Sequence, residues 1–270
     1  MEKLPETSSK TPVWVWIMSG FTLIITVLWL VLTPSGLLGK ANAVGYAVCH
    51  QMRERSFTVG DRIFPMCARC SGLFLGAMLG LGYQRVWRRK GKMPPLYVMV
   101  FFGLLALLWA FDGVNSFLMF VPGFPSPYRT TNVTRLVTGT GMGLAVSAIL
   151  LPSFIQTMFR TWEDTSVFTD WWRLPLLVLL ATGLDVMVLF EVSWLMYPLA
   201  ILSALGVLIL LTLVYSMVFV MITRRENTFD HFKQLRVPLI AGYTIALLQI
   251  GTVDLLRYLW TGTWGGLNFL

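Results

Sequence analysis

Seven long apolar segments, separated by polar or basic residues, dominate the sequence. Each is close to the length that a helix needs to cross a hydrocarbon layer of ~30 Å. Because lipid offers the backbone no hydrogen-bond partners, only helices and closed barrels span it, and segments of this length favour helices. We therefore predict an all-α, polytopic integral membrane bundle of about seven transmembrane helices. The predicted spans are 13–32, 67–86, 96–120, 131–159, 174–190, 194–222 and 237–260.

The composition excludes a soluble enzyme. The 270 residues are 56% hydrophobic and only 13% charged, with a mean hydropathy of +0.70, whereas soluble domains are about 25% charged. The net charge of +8 alone would suit nucleic-acid binding, but the sequence carries no recognisable nucleic-acid module. The expected partner is a lipid bilayer and not a nucleic acid.

Basic residues are concentrated in two of the predicted loops, at 85–92 and 224–236. Because cytoplasmic loops carry an excess of Lys and Arg, both loops are predicted to be cytoplasmic, which places the N-terminus inside and the C-terminus outside. The expected location is the cytoplasmic membrane of a prokaryote. The predicted organisation is a cytoplasmic tail at 1–12, a single transmembrane domain at 13–260 with an outer loop at 33–66, and a short outer tail at 261–270.

All three cysteines lie close together in the chain, and a histidine accompanies them. Cys49 and His50 precede the second predicted span, whereas Cys67 and Cys70 lie at its start, three residues apart and therefore on one helical face. Zinc takes four tetrahedral ligands from thiolate sulfur and imidazole nitrogen. We predict a zinc site formed by these four side chains, although the same ligand set also suits iron.

Two other interpretations of the cysteines stay open. A Cys-x-x-Cys pair at a helix N-terminus beside Arg69 favours the thiolate, so Cys67 and Cys70 could exchange a disulfide and pass electrons to a quinone. Alternatively, the thiols form a structural disulfide or pack between helices. The sequence leaves open whether the protein is an enzyme.

Charged residues within the apolar segments indicate a polar pocket. Asp112, Glu191 and Asp254 lie at a similar depth, about 25 Å from the cytoplasmic ends of their predicted helices. Charges at such depth face a cavity or one another, so a binding site, structural pairing or an ion or solute transport path are the alternatives. Asp185 is deeper, which indicates proton or ion handling or a hydrogen-bonded core acid. The predicted pocket comprises Arg53, Arg69, Asp112, Asn115, Arg129, Asn132, Arg135, Asp185, Glu191, Asp254 and Arg257.

Small residues predict which helices pack together. Glycines recur at every fourth position in the second span and in the fourth, and this spacing lets helices approach closely. We expect these spans to pack together and to bring Arg135 near the cysteine turn. A proline-rich outer loop at 121–129 would cap the pocket. If Arg69, Arg129 and Arg135 converge, they suit an anionic lipid head group or a quinone carbonyl. The glycines are Gly72, Gly76, Gly80, Gly139 and Gly143.

The cysteine segment resembles the signature of a membrane-protein family, domain of unknown function 2085. The resemblance lies in Cys-His-Gln at 49–51, Arg-Ser-Phe at 55–57 and Pro-x-Cys-Ala-Arg-Cys-x-Gly at 65–72. It extends to Asp112-Gly113, Thr131-Asn132, Arg135 and Thr138-Gly139, and covers roughly 45–143. It implies that the cysteines and His50 form one site, but it carries no reaction, and the last three helices are unmatched. We therefore expect a membrane protein with an outer metal site beside a polar pocket, either structural or as a subunit of a membrane complex.

Overall fold

The computed structural model describes residues 13–86, 90–121 and 126–266, and within them the protein is all-helical. A short β-hairpin lies between the second and third helices, and its strands, β1 (Thr58–Val59) and β2 (Arg62–Ile63), have two residues each. The prediction of a helical bundle is confirmed. The helices are α1 (Val13–Leu32), α2 (Leu37–Val48), α3 (Ala68–Val86), α4 (Leu96–Leu118), α5 (Asn132–Met158), α6 (Arg173–Leu189), α7 (Ser193–Ile222) and α8 (Arg236–Thr261).

Each predicted span coincides with a helix to within two residues at either end. Five stretches are long and apolar enough to cross a membrane: α1, α4, α5, α7, and α8 together with the turn before it. The other two predicted spans, α3 and α6, are helices of 19 and 17 residues. The sequence missed α2, which falls in the predicted outer loop, because its 12 residues include Lys40, Asn42 and two glycines and so lack a long apolar run.

Some sequence predictions lie outside the described residues. These are the N-terminal tail, Arg88 and Arg89 of the basic cluster, residues 122–125 of the proline-rich loop, and residues 267–270 of the C-terminal tail.

Helices α3 and α5 pack with their backbones in contact, which confirms the prediction from their glycines. A Cβ atom added to Gly76 would lie 2.5 Å from the carbonyl oxygen of Thr140, and one added to Gly143 would lie 2.1 Å from that of Leu73. Both distances are shorter than any real contact, so these positions require glycine. The contact places the N-termini of α3 and α5 side by side.

The connecting segments meet in two groups, one at each end of the bundle. At one end, the main chain of Lys90 pairs with Glu163 and that of Phe159 pairs with Phe229. We call this the basic end, formed by 90–95, 159–172 and 223–235. At the other end, Thr58 Oγ1 donates to Glu191 Oε2 at 3.0 Å. We call it the cysteine end, formed by 33–67, 119–121, 126–131, 190–192 and 262–266.

Candidate metal centre

The three cysteine sulfurs lie within 4.8 Å of one another at the cysteine end. Cys49 and Cys67 are buried, Cys70 is partly buried, and all three are free thiols. Sulfurs that share a zinc ion through bonds of ~2.3 Å are about 3.8 Å apart, so small side-chain adjustments suffice to bind one. The donor set therefore fits a zinc ion.

The turn that follows α2 directs backbone N–H groups at Cys49. Gln51 has a φ of 53°, in the left-handed region that non-glycine residues rarely adopt. In this turn the Gln51 amide donates to Cys49 Sγ at 3.5 Å, and the Cys67 amide donates to the same sulfur at 3.2 Å. Such bonds favour the thiolate, the form that binds metal, although at Cys49 the contact with the Cys67 side chain and burial outweigh them.

Gln51 and Gly45 hold the two cysteine segments together. The buried Gln51 side chain donates through Nε2 to Pro65 O at 2.7 Å and to Asn42 O at 2.9 Å. A Cβ atom on Gly45 would lie 1.9 Å from Pro65 O, so α2 touches the chain just before Cys67. Sequence reasoning missed both roles, although Gln51 is part of the resemblance to the family signature.

Arg257 on α8 anchors the C-terminus of α2. Its Nη1 donates to Tyr46 O at 2.5 Å and to Cys49 O at 2.6 Å, and its Nη2 donates to His50 O at 3.3 Å. A cation also suits the negative end of a helix dipole. Asp254 lies three residues before Arg257 on α8, but its side chain accepts a hydrogen bond from Trp29 Nε1 at 3.0 Å.

His50 contacts the cluster as a hydrogen-bond donor. Its Nδ1 accepts from the Met52 amide at 3.0 Å, so the neutral ring carries its proton on Nε2. The side chain donates to Cys67. Adjacent residues diverge in direction, and within the described chain the ligand group contains only the three cysteines. His50 would have to release the Met52 amide before it could bind a metal.

Within the cluster, Cys67 is the thiol whose environment favours the thiolate. Hydrogen bonds from the Cys49 and Cys70 thiols hold the pKa of Cys67 well below its usual value, and His50 adds to this effect. The same contact with Cys67, together with burial, raises the pKa of Cys49 to about 12. One thiolate is thus stabilised by the other two thiols.

A buried polar face on the last two turns of α4 lies nearby. It consists of Asp112, Asn115 and Ser116, each 1% exposed. Arg69, between Cys67 and Cys70 in sequence, forms an ion pair with Asp112. Tyr128 donates its hydroxyl to Asp112 Oδ1 at 2.6 Å, and burial together with this bond raises the Tyr128 pKa to about 12.

Two further arginines converge on Ser116. Arg55 Nη1 lies 3.1 Å from Ser116 Oγ, and Arg135 Nη2 lies 3.4 Å from the same atom. Arg135 also donates to Thr130 Oγ1 at 2.6 Å and to Asn132 Oδ1 at 3.1 Å. We call Arg55, Arg69 and Arg135 the arginine cluster. Sequence reasoning missed Arg55, whose sole signal was its place in the Arg-Ser-Phe motif.

The remaining predicted pocket residues make their contacts elsewhere in the structure. Arg53 and Arg129 are exposed. Asp185 is buried and accepts from Thr140 Oγ1 at 2.6 Å, between α6 and α5. Glu191 is exposed and binds the hairpin through Thr58. The predicted layer of charges therefore divides into several local pairings, and Arg69, Asp112, Asn115, Asn132 and Arg135 are the members brought together.

These features define a helical membrane protein with a largely buried three-thiol cluster beside arginines that are buried or partly buried. The predicted membrane protein family DUF2085 matches residues 49–150, which hold the thiols and the arginine cluster but not Arg257. An uncharacterized protein of Methanothermobacter thermautotrophicus is 34% identical over 113 residues, 40% of this chain and 90% of the relative. The chain belongs to this family, as the signature motifs indicated.

A second relative extends the same comparison. It is an uncharacterized protein of Methanocaldococcus jannaschii, 27% identical over 124 residues, which are 45% of this chain and 72% of the relative. No solved structure matches the chain significantly. Both relatives come from archaea.

Proposed function

We propose that the protein binds one zinc ion through Cys49, Cys67 and Cys70 at the outer membrane face. The supporting observation is the approach of the three sulfurs to within 4.8 Å, although Cys49 is distant from the others in sequence. Amide hydrogen bonds to Cys49 and the stabilised thiolate of Cys67 suit metal binding. When bound, zinc supplies a cross-link between the turn after α2 and the start of α3.

The fourth ligand is His50 or a water molecule. His50 lies beside Cys67 and can reach the metal once its bond to the Met52 amide is exchanged. A site closed by His50 is structural, whereas a site that keeps a water has an open position. In either case the ion holds the segment 33–67 against α3 and α8, as the stabilising element of a membrane protein or of a subunit in a larger complex.

The proposed topology has seven crossings, with the N-terminus in the cytoplasm and the C-terminus outside. Its support is the alternation of connecting segments: those after α3, α5 and α7 meet at the basic end. The segment after α1 contacts those after α4 and after α6 at the cysteine end, through Arg55 on the Phe120 ring and through Thr58 on Glu191. The positive-inside rule then assigns the basic end to the cytoplasm.

Elemental analysis of protein purified without added metal tests the proposed function. Wild type is expected to hold about one zinc per chain, and Cys67→Ser and Cys49→Ser to lose most of it. His50→Ala tests whether His50 is the fourth ligand. His231→Ala is its control, because His231 is exposed at the basic end. Stoichiometric iron would mean that the same site binds iron instead of zinc. Folded wild type that holds no metal would contradict the proposal.

A thiol oxidoreductase that reduces a quinone is the second candidate, and the stabilised Cys67 thiolate favours it. In this reaction Cys67 and Cys70 lose two electrons and two protons to form a disulfide, and the quinone gains them to become a quinol. Alkylation separates the two candidates. Zinc protects the thiols until a chelator is added, whereas a redox pair becomes protected by oxidation and reactive again on reduction.

A further inference from the structure

The arginine cluster holds more positive than negative charge. Asp112 lies near Arg135 and is already engaged by Arg69 and Tyr128. Arg55 and Arg135 meet neutral oxygens in this cluster, and both donate to the hydroxyl of Ser116. Glu54, the neighbour of Arg55, is exposed. Cys67 and the exposed Glu54 offset part of the charge of the three cations, and a bound anion would offset the positive charge that remains.

Burial makes this excess costly. Arg135 is 6% exposed, and its Nε lacks a hydrogen-bond partner among the described residues, as does Nε of Arg69. Burial lowers the pKa of Arg55, and the nearby charge of Arg69 lowers it further. Since interior charges interact strongly, two guanidinium groups on one hydroxyl repel each other unless an anion lies between them.

The cluster also lies at helix ends. Arg69 and Arg135 are in the first turns of α3 and α5, whose N-termini point positive dipole ends at the cluster. Ser116 is two residues before the end of α4. In a bilayer that these helices span, the helix ends lie at the level of the lipid phosphates. Arg55 is only half-buried, so an anion can reach the cluster from the side of Arg55.

We propose that Arg55, Arg69 and Arg135 bind a phosphate group, carried either by an anionic lipid or by a soluble phosphate. Guanidinium forks from three chain segments suit a tetrahedral oxyanion, whose charge would offset the remaining positive charge of the cluster. This phosphate site is separate from the proposed zinc site, and phosphate binding there requires no metal.

Binding is measured on the purified full chain. Inorganic phosphate is titrated calorimetrically against protein in neutral detergent. In a second arm, nanodiscs of phosphatidylcholine with and without phosphatidic acid are compared, and protein-bound lipid is quantified by native mass spectrometry. Wild type should bind one phosphate group per chain, and the arm that saturates identifies the source.

The decisive variant is Arg55→Gln, because Arg55 lies on a loop and its loss leaves the Arg69–Asp112 pair intact. We expect it to weaken phosphate binding at least about tenfold, whereas Arg129→Gln, an exposed change of equal charge, should stay within about twofold. Arg135→Lys keeps the charge but loses the fork and should also weaken binding. Zinc content, measured on the same samples, should not change in Arg55→Gln, so this proposal and the metal site fail separately.

Two results would overturn the proposal. One is the absence of saturable binding in both arms by folded wild type. The other is equal affinity of Arg55→Gln and Arg129→Gln, which would reduce the effect to general surface charge.

Discussion

Basic residues are used differently at the two ends of the bundle. At the basic end, Lys92 pairs with Asp164 at 3.4 Å and Arg160 pairs with Asp230 at 3.8 Å, and these four side chains are at least 44% exposed. Arg173, which pairs with Asp170, is the buried arginine among the described residues of this end. At the cysteine end, Arg69 is 17% exposed and its partner Asp112 is 1% exposed. The Arg257 guanidinium at this end donates hydrogen bonds to the main-chain carbonyls of Tyr46 and Cys49.

The contrast shows that the number of basic residues at one end of the bundle does not determine their structural role. Exposed pairs contribute about 0–1 kcal/mol each because water screens them, so the exposed basic residues of the basic end fit an orienting role in which any nearby Lys or Arg suffices. A buried charge tolerates no such exchange, because its loss leaves a partner uncompensated. Arg69 and Arg257 therefore belong to a specific structure around the thiols.

Breaking the buried ion pair should give the largest effect. Asp112→Asn leaves three guanidinium groups without a carboxylate, and we expect a loss of about 3–5 kcal/mol in the free energy of unfolding. Thermal unfolding in detergent, followed by intrinsic fluorescence, measures it. Asp164→Asn at the basic end is the matched control, and equal destabilisation by the two changes would remove the contrast between the ends.

Arg257→Gln should rank second. It removes donors from the carbonyls of Tyr46, Cys49 and His50, which we expect to cost about 2–3 kcal/mol and to weaken zinc binding. Competition with a chromogenic chelator measures zinc affinity, and melting reports stability. Arg225→Gln, exposed at the basic end, serves as the control. Unchanged zinc affinity would show that the turn after α2 keeps its shape without Arg257.

Gly76→Ala tests the helix contact that places Arg69 beside Arg135. The new Cβ atom would meet the Thr140 carbonyl oxygen at 2.5 Å, so we expect a loss of about 1–3 kcal/mol from overpacking. Gly82→Ala on the same helix has no atom within 4 Å and should be neutral or stabilising by up to about 1 kcal/mol. A similar melting temperature for both variants would mean that α3 and α5 do not pack this closely.

The smallest effect is expected at the basic end. Lys92→Gln or Arg160→Gln should change stability by about 0.5 kcal/mol or less and leave zinc content unchanged, because both pairs are exposed. The same melting and metal assays apply. A loss above about 2 kcal/mol would place a structural site at this end as well.

Much of the architecture could be predicted from local sequence signals. Apolar length located the helices, and the glycine spacing of α3 and α5 predicted their contact. The Cys-x-x-Cys spacing placed Cys67 and Cys70 together. Each of these signals can be read within a single helix, which is where sequence pattern and geometry correspond.

What the sequence could not supply depends on contacts between distant segments. The short helix α2 lacks an apolar run, and the left-handed turn at Gln51 has no composition signal. Arg55 and Arg129 look alike in sequence, yet one contacts Ser116 and the other is exposed. A shared depth for Asp112, Glu191 and Asp254 did not imply shared contacts, because depth says nothing about the direction in which a side chain points.

X-ray absorption at the zinc edge of the purified, zinc-loaded protein tests the central claim most directly. The account predicts about one zinc per chain with three sulfur ligands at ~2.3 Å and a single nitrogen or oxygen ligand. A first coordination shell made only of nitrogen and oxygen, or folded protein that takes up no zinc, would contradict it.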